Sequence, residues 1–419
     1  MRTYRELFGT PEFTPFFLTA STQVAASTAG GLALGTLVYA ATGSPLLSAL
    51  SMFGASLAQV AGAAVLLSAA DRLPPRLALT GIALVSGLGT AAQALPGLPL
   101  WAIFVILLAL GMVGSLGGGV RLGLLDEILP ENGYVLGRSV LNMSTGAMQI
   151  CGFALGGVLL TVLSPRGTLV AAAVLYLVAA CLARFGLSGR PARAEGRPSV
   201  AETWRANGRL WSSPPRRHVY LAMWVPNGLI VGCESLFVAY DPRHAGLLFA
   251  FAAFGMLVGD AAIGRLVPHR WRGRLGAPLR LLLAVPYLVL VLEPGLPVAL
   301  AVVTLASVGY SASLLLQERL VALTPAQARG QALGLGSSGV LTLQGVSAAL
   351  AGAVAQYTSA GTAMAVMATA SVAVTLVLAP RLRHSPEEGA PRRSGRKPPP
   401  PIGSETSAPG GPVPEPPRR

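Results

Sequence analysis

The chain has 419 residues, of which 53% are hydrophobic and only 11% charged, and it carries a net charge of +14. So few charges exclude a soluble domain of this size, for which about a quarter of the residues would be charged. The basic residues stand in short segments between apolar runs and in the C-terminal tail, a pattern that excludes a nucleic-acid-binding face and fits arginines held on one side of a membrane.

Apolar stretches of about 20 residues match the demand of a hydrocarbon core about 30 Å thick. In chain order the sequence predicts spans at 16–40, 45–70, 77–97, 99–120, 140–163, 167–187, 218–240, 244–264, 277–293, 297–318, 333–356 and 360–380. The first run is too long for the apolar core of a secretory signal, despite the small residues around Val38–Ala40, and is read as an uncleaved span. Gly and Pro mark tight links at Thr42–Pro45 and Leu95–Pro99. With both termini placed in the cytoplasm, every Lys and Arg of the 31 except Arg166 and Arg243 falls in a cytoplasmic segment or beside one. One missed or invented span would scramble every later loop, so this alternation also checks the span count.

The Arg-rich segment 188–217 separates residues 1–187 from residues 218–383, six spans on each side. It can hold a short amphipathic helix on the membrane surface, with Trp204 and Trp211 as interface anchors. Residues 384–419 are Pro-rich, basic and without apolar periodicity, and read as a disordered cytoplasmic tail. Cys151, Cys181 and Cys233 are scattered through apolar spans and form neither a metal spacing nor a disulfide framework. The expected class is an all-α integral membrane protein of twelve helices in two six-helix bundles.

Three motifs carry a family resemblance. After span 2, Leu67–Arg76 (LSAADRLPPR) places Asp71, Arg72 and Arg76 at a helix end. In span 5, Gly152, Gly156 and Gly157 lie in GFALGG. Span 1 ends in LVYAATGSPLLSAL. Together with the six-plus-six plan, they resemble the major facilitator superfamily, and within it the drug and macrolide exporters. Segments 129–139 (LPENGYVLGRS) and 323–335 (LTPAQARGQALGL) resemble the equivalent loops of its two halves. The resemblance covers about residues 5–383. It implies alternating access, a gating role for the Asp71, Arg72 and Arg76 cluster, and a cavity lined by spans 1, 4, 7 and 10. Two glycines of the loop motif are absent, with Leu67 and Pro74 in their places, and Phe153 replaces the exporter motif's proline. Relatives in that branch carry an acid in span 1 where this chain has Ser27 or Thr28, so proton coupling would need another group.

A carboxyl group in a membrane helix costs about 2.5–3.5 kcal/mol on insertion scales and usually faces water or a partner. Glu234 in span 7 is the main candidate, for a proton or a cationic substrate, with Pro226, Asn227 and Gly228 expected to bend the helix before it. The alternative is a carboxylate at the outer surface paired with Arg243 or Arg166. Gln23 and Tyr310 are cavity candidates in spans 1 and 10. Gln149, Asn142 and Gln344 are read as interhelical hydrogen-bonding groups, Asp260 as an ion-pair partner of Arg265, and Glu318 with Arg319 as interfacial anchors. Asp126, Glu127 and Glu131 read as a charged surface loop with Arg121 and Arg138. Span 4's glycines, like Gly152 and Gly156 one turn apart, permit close helix packing.

The function expected is proton-coupled efflux of amphipathic organic compounds, by a monomer in the cell membrane that uses the proton gradient and no bound cofactor or metal. Its partners would be the bilayer and a small lipophilic substrate, with no nucleic acid. Facilitator-type uptake of a metabolite keeps the same fold. An integral-membrane enzyme or a receptor fits less well, because His218, His244, His269 and His384 are dispersed. There is no phosphate-binding Gly-rich loop, and the single Lys, Lys397, lies in the tail.

Overall fold

A computed structural model describes residues 4–70, 73–191, 200–325 and 328–383. Asp71, Arg72 and the tail from 384 lie outside the described residues. The described residues are helical with no strand, and twelve helices are long and apolar enough to cross a membrane.

The first six are α1 (Phe13–Thr42), α2 (Pro45–Ala70), α3 (Pro75–Gln93), α4 (Leu100–Ile128), α5 (Glu131–Val162) and α6 (Pro165–Gly186). A short surface helix, Val200–Ser212, follows. The second set begins with α7 (Pro214–Glu234), α8 (Ala245–Leu266) and α9 (His269–Ala284). α10 comes in two pieces, Leu296–Val308 and Ala312–Ala322, and α11 (Arg329–Tyr357) and α12 (Ala360–Arg383) complete the set.

Local chemistry sets the ends. Proline opens α2, α3, α6 and α7, at positions where its missing N–H costs no intrahelical bond. Gly43 closes α1 with φ 63°, its N–H donating to the Tyr39 carbonyl at 2.7 Å, a left-handed cap that glycine adopts without strain. Leu88, Val105, Leu155, Val162, Leu376 and Val377 point outward and are exposed. An apolar exterior of this kind needs lipid as its solvent.

Several expected boundaries are corrected. Span 4 does not stop at 120 but continues to Ile128, and span 5 begins at Glu131 rather than 140. The segment read as the loop between them is therefore mostly helix, and Arg121, Asp126 and Glu127 belong to α4 rather than to a surface loop. Span 9 also begins early, at His269 rather than 277, and Arg280 is buried within it at 3% exposure. The anchor role expected of Trp211 gives way to an aromatic stack with Trp224 (centroids 5.3 Å apart) that ties the surface helix to α7. Trp204 remains exposed.

The packing is that of two six-helix halves joined at one end. Away from the termini, one core unites Leu32 of α1 with Ile230, Phe249, Tyr287 and Met364 of the second half, and Tyr39, Phe53 and Phe153 pack against it. Phe153 stacks on Phe249 with centroids 4.5 Å apart. Ser44 donates to Gln356 Oε1 at 2.8 Å across the same end. At the end that carries the termini the cores are separate. One is built from Phe13, Phe16, Leu79, Leu124 and Leu187 of the first half, the other from Val219, Tyr220, Leu320 and Leu382 of the second.

Described ion pairs at the terminal end lie on the side of one half or the other. Arg190 bridges Glu12 at 2.7 Å and Glu127 at 3.6 Å, and Arg272 pairs with Glu318 at 2.5 Å. Burial alone would raise the Glu12 pKa, but hydrogen bonds from Ser188 and Arg190 outweigh it and hold the carboxyl below its ordinary 4.5. A depressed carboxylate contributes stability above its unfolded value and loses it as pH falls through the folded one. Arg190→Gln is therefore expected to destabilise the chain by about 0.2–1 kcal/mol at neutral pH, the range of partly exposed pairs. Thermal melts of the two proteins should converge as the pH drops below 4.5.

Candidate functional site

Among the described residues, each half holds a polar cluster built around a charged side chain within its helices. In the second half it is built around Glu234, the last residue of α7. The helix runs unbroken through Pro226, Asn227 and Gly228, so it does not unwind there; the α-helix ends in a turn at Ser235 and Leu236, directly after the carboxylate. Glu234 is 5% exposed, and its neighbours Cys233, Leu236 and Phe237 are fully buried. The Tyr287 hydroxyl donates to Glu234 Oε1 at a long 3.5 Å. The Tyr310 hydroxyl faces the same carboxylate but falls short of hydrogen-bond geometry. Among the described residues Glu234 has no ion-pair partner. The pairing with Arg243 or Arg166 is thereby corrected: Arg243 turns its backbone N–H to Asp241 Oδ1.

The elements around this carboxylate depart from α geometry. α9 passes into a 3₁₀ stretch, Val285–Leu292, that opens with Pro286 and carries Tyr287. α10 breaks at Gly309–Ser311, which carries Tyr310. A Cβ on Gly309 would lie 2.5 Å from the backbone of Leu279 and Leu283, so only glycine lets α9 and α10 come this close. Mid-helix 3₁₀ segments mark hinges or strained functional positions. An ionised carboxylate with apolar neighbours and no counter-charge is costly, and a proton or a cation offsets that cost.

The first half's cluster was not legible as such. Arg121 of α4 donates through Nη2 to Gln23 Oε1 of α1. Gln23 is 4% exposed. Arg121 Nε and Gln23 Nε2 are buried without a partner among the described residues. The Tyr176 hydroxyl of α6 stands beside Ser27 and Arg121. Gln23 therefore lies where a pathway residue was expected, but it holds an arginine assigned to a loop. The signal was present in the apolar Leu122, Leu124 and Leu125, which continue the helix past Arg121.

The remaining candidates divide. Asn227 Oδ1 accepts from Gln344 Nε2 at 3.1 Å and links α7 to α11. Arg76 donates to the Leu187 carbonyl at 3.5 Å, within its own half. Gly152 and Gly156 face α1, where added Cβ atoms would lie 2.8 Å from Thr28 Cβ and 3.1 Å from Ala29 Cα. Gly157 faces the other half, with an added Cβ 3.0 Å from Gly246 Cα of α8. Asp260 makes no ion pair with Arg265 among the described residues, and Glu318 has Arg272 as its partner. The side chain of Asn142 lies outside the described residues.

The arrangement has clear counterparts among solved structures. A bacterial homologue of the human lysosomal transporter Spinster, in an inward-facing, unoccupied conformation, matches 91% of this chain and 96% of its own at TM-score 0.69 and 12% identity. The nucleoside transporter NupG matches 88% and 99% at TM-score 0.73 and 13% identity. A POT family transporter in complex with 5-aminolevulinic acid matches 88% and 96% at TM-score 0.70 and 11% identity. No protein-family model and no curated protein sequence matches the chain. At these identities the likeness defines the fold alone: a twelve-helix, multi-pass membrane architecture shared with these transporters.

Proposed function

We propose that the chain is a secondary active transporter that works by alternating access, coupling proton movement to efflux of amphipathic organic compounds. The observation that carries the reading is the asymmetry of the contact between halves. One core seals the end away from the termini, and two separate cores leave the terminal end parted. Such an arrangement is one of the two states that a rocking mechanism requires. Its likeness to an inward-facing transporter supports the same state. With the termini and the arginine-rich segments in the cytoplasm of a cell membrane, the parted end opens inward.

Glu234 is the proton site in this reading. It supplies the acid that the exporter branch carries in span 1 and that Ser27 and Thr28 cannot provide. Residues 1–187 and 218–383 form the two moving bodies, with 188–217 as the cytoplasmic connection and Gln23, Tyr310 and Arg76 on the pathway or its gate. The test is a flux assay in proteoliposomes, with an imposed pH gradient and a panel of anionic, neutral and cationic amphipathic dyes. Gradient-driven movement of at least one dye, absent from protein-free liposomes, is the expected result. If none moves, the transport reading fails. Cysteine labelling at Arg272 from the cytoplasmic side alone is expected in the same membranes, and labelling from outside would reverse the orientation.

A further inference from the structure

We infer that Arg121 and Gln23 form a binding site for a carboxylate group of the transported compound. The inference rests on the transport reading above and narrows its substrate to organic anions.

A guanidinium stays charged at any physiological pH and offers its donors in a planar fork. In α4 that charge lies about seven residues before the helix end at Ile128, roughly 10 Å of rise into the bundle. Gln23 lies about ten residues into α1, roughly 15 Å of rise. No carboxylate among the described residues neutralises Arg121; its contacts are the Gln23 carbonyl oxygen and the neighbouring Tyr176 hydroxyl. Arg121 is half-buried, with its Nε enclosed, and an arginine kept in such a place for folding normally has an acidic partner, because an unpaired charge away from water is costly. Here a neutral amide oxygen occupies the place an anionic oxygen would take, and two N–H groups, Arg121 Nε and Gln23 Nε2, remain unused.

Those leftover donors match what a carboxylate needs. One oxygen displaces Gln23 Oε1 on the guanidinium, and the second accepts from the released Gln23 amide, giving a charge-assisted pair. Ser27, one turn along α1 from Gln23 and beside Tyr176, is exposed and marks the open side of the cluster. Among the described residues a single cation, Arg121, faces the site, so a singly charged group is neutralised, whereas a doubly charged phosphate would leave one charge unmatched. Glu234 lies in the other half, so a proton site and an anion site on opposite bodies would each be exposed or closed by the same rocking motion.

The test is equilibrium binding to the purified full chain in detergent, with 1-naphthoate, 1-naphthamide and a naphthyl trimethylammonium salt as probes. Wild type is expected to hold naphthoate about tenfold more tightly than the amide, the scale of one charge-assisted hydrogen bond. Arg121→Gln should abolish the preference and Arg121→Lys should retain part of it. Gln23→Glu supplies an internal carboxylate, so it should also abolish the preference while leaving the melting temperature equal to or above that of wild type. The site is overturned if wild type binds none of the probes, if it binds the amide or the cation as tightly as naphthoate, or if either Arg121→Gln or Gln23→Glu keeps the preference. Binding is read without a gradient or flux. An intact anion preference in a chain that moves no dye therefore sinks the transport reading alone, and dye transport without the preference sinks this site alone.

Discussion

Glu234→Gln is expected to abolish pH-gradient-driven accumulation in proteoliposomes while leaving exchange of substrate across the membrane intact. The glutamine keeps the shape and the acceptor oxygen that Tyr287 addresses, but it can neither bind nor release a proton. The carboxylate is enclosed by Cys233, Leu236 and Phe237 with no cation beside it. The substitution therefore removes a group that is expensive to ionise in place and should not lower the melting temperature. A carboxyl in such a position is either neutral or compensated, and the switch between those conditions is what can couple it to the motion of the halves. Three elements around it, the end of α7, the 3₁₀ stretch after α9 and the break in α10, can change geometry without unwinding a regular helix. The measurement is dye accumulation under an imposed gradient beside dye counterflow without one. Unchanged accumulation in the variant would remove Glu234 from the coupling mechanism.

Gly246→Leu is expected to prop apart the sealed end. The backbones of α5 and α8 meet at Gly157 and Gly246, where even a methyl group on Gly157 would lie 3.0 Å from Gly246 Cα. The companion contact between α2 and α11 is equally close, an added Cβ on Gly352 lying 2.6 Å from Leu46 Cα. In the alternating-access reading both glycine contacts belong to one state, so a larger side chain penalises that state and not the folded halves. Overpacking costs about 1–3 kcal/mol, which shifts a two-state equilibrium by roughly five- to 150-fold. Spin labels at Ser44 and Gln356, hydrogen-bonded across the sealed end in the structure, report it directly. Wild type should give a short, narrow distance distribution, and the variant a long one with lost transport. A Gly246→Ala control should lie between them. An unchanged distance in Gly246→Leu would mean that the contact between the halves does not depend on this approach.

The exporter-like glycines show how far local reading reaches. Spacing places Gly152 and Gly156 on one helix face, and the structure puts both against α1, an ordinary packing role. Gly157, next in the chain, faces the other body and takes part in the seal. Nothing in a single helix distinguishes these roles, because the partner of each face is decided by topology. The same holds for Tyr287, which follows Pro286 in an apolar segment and gained meaning only when α7 and α9 were brought together.

The sequence by itself determined the membrane class, the twelve spans and the division into six and six. Those follow from hydrocarbon thickness and from the separation of arginine from apolar runs, both properties of single segments in a slab-like solvent. Only the tertiary structure decided where helices overshoot the slab, and so moved Arg121 from a loop into a helix and buried Arg280 within one. It also decided that Glu234 meets tyrosines rather than arginines, and that one end of the molecule is closed. These depend on which helix faces meet across more than a hundred residues of chain, and on a choice between two packings that the same hydrophobic pattern permits.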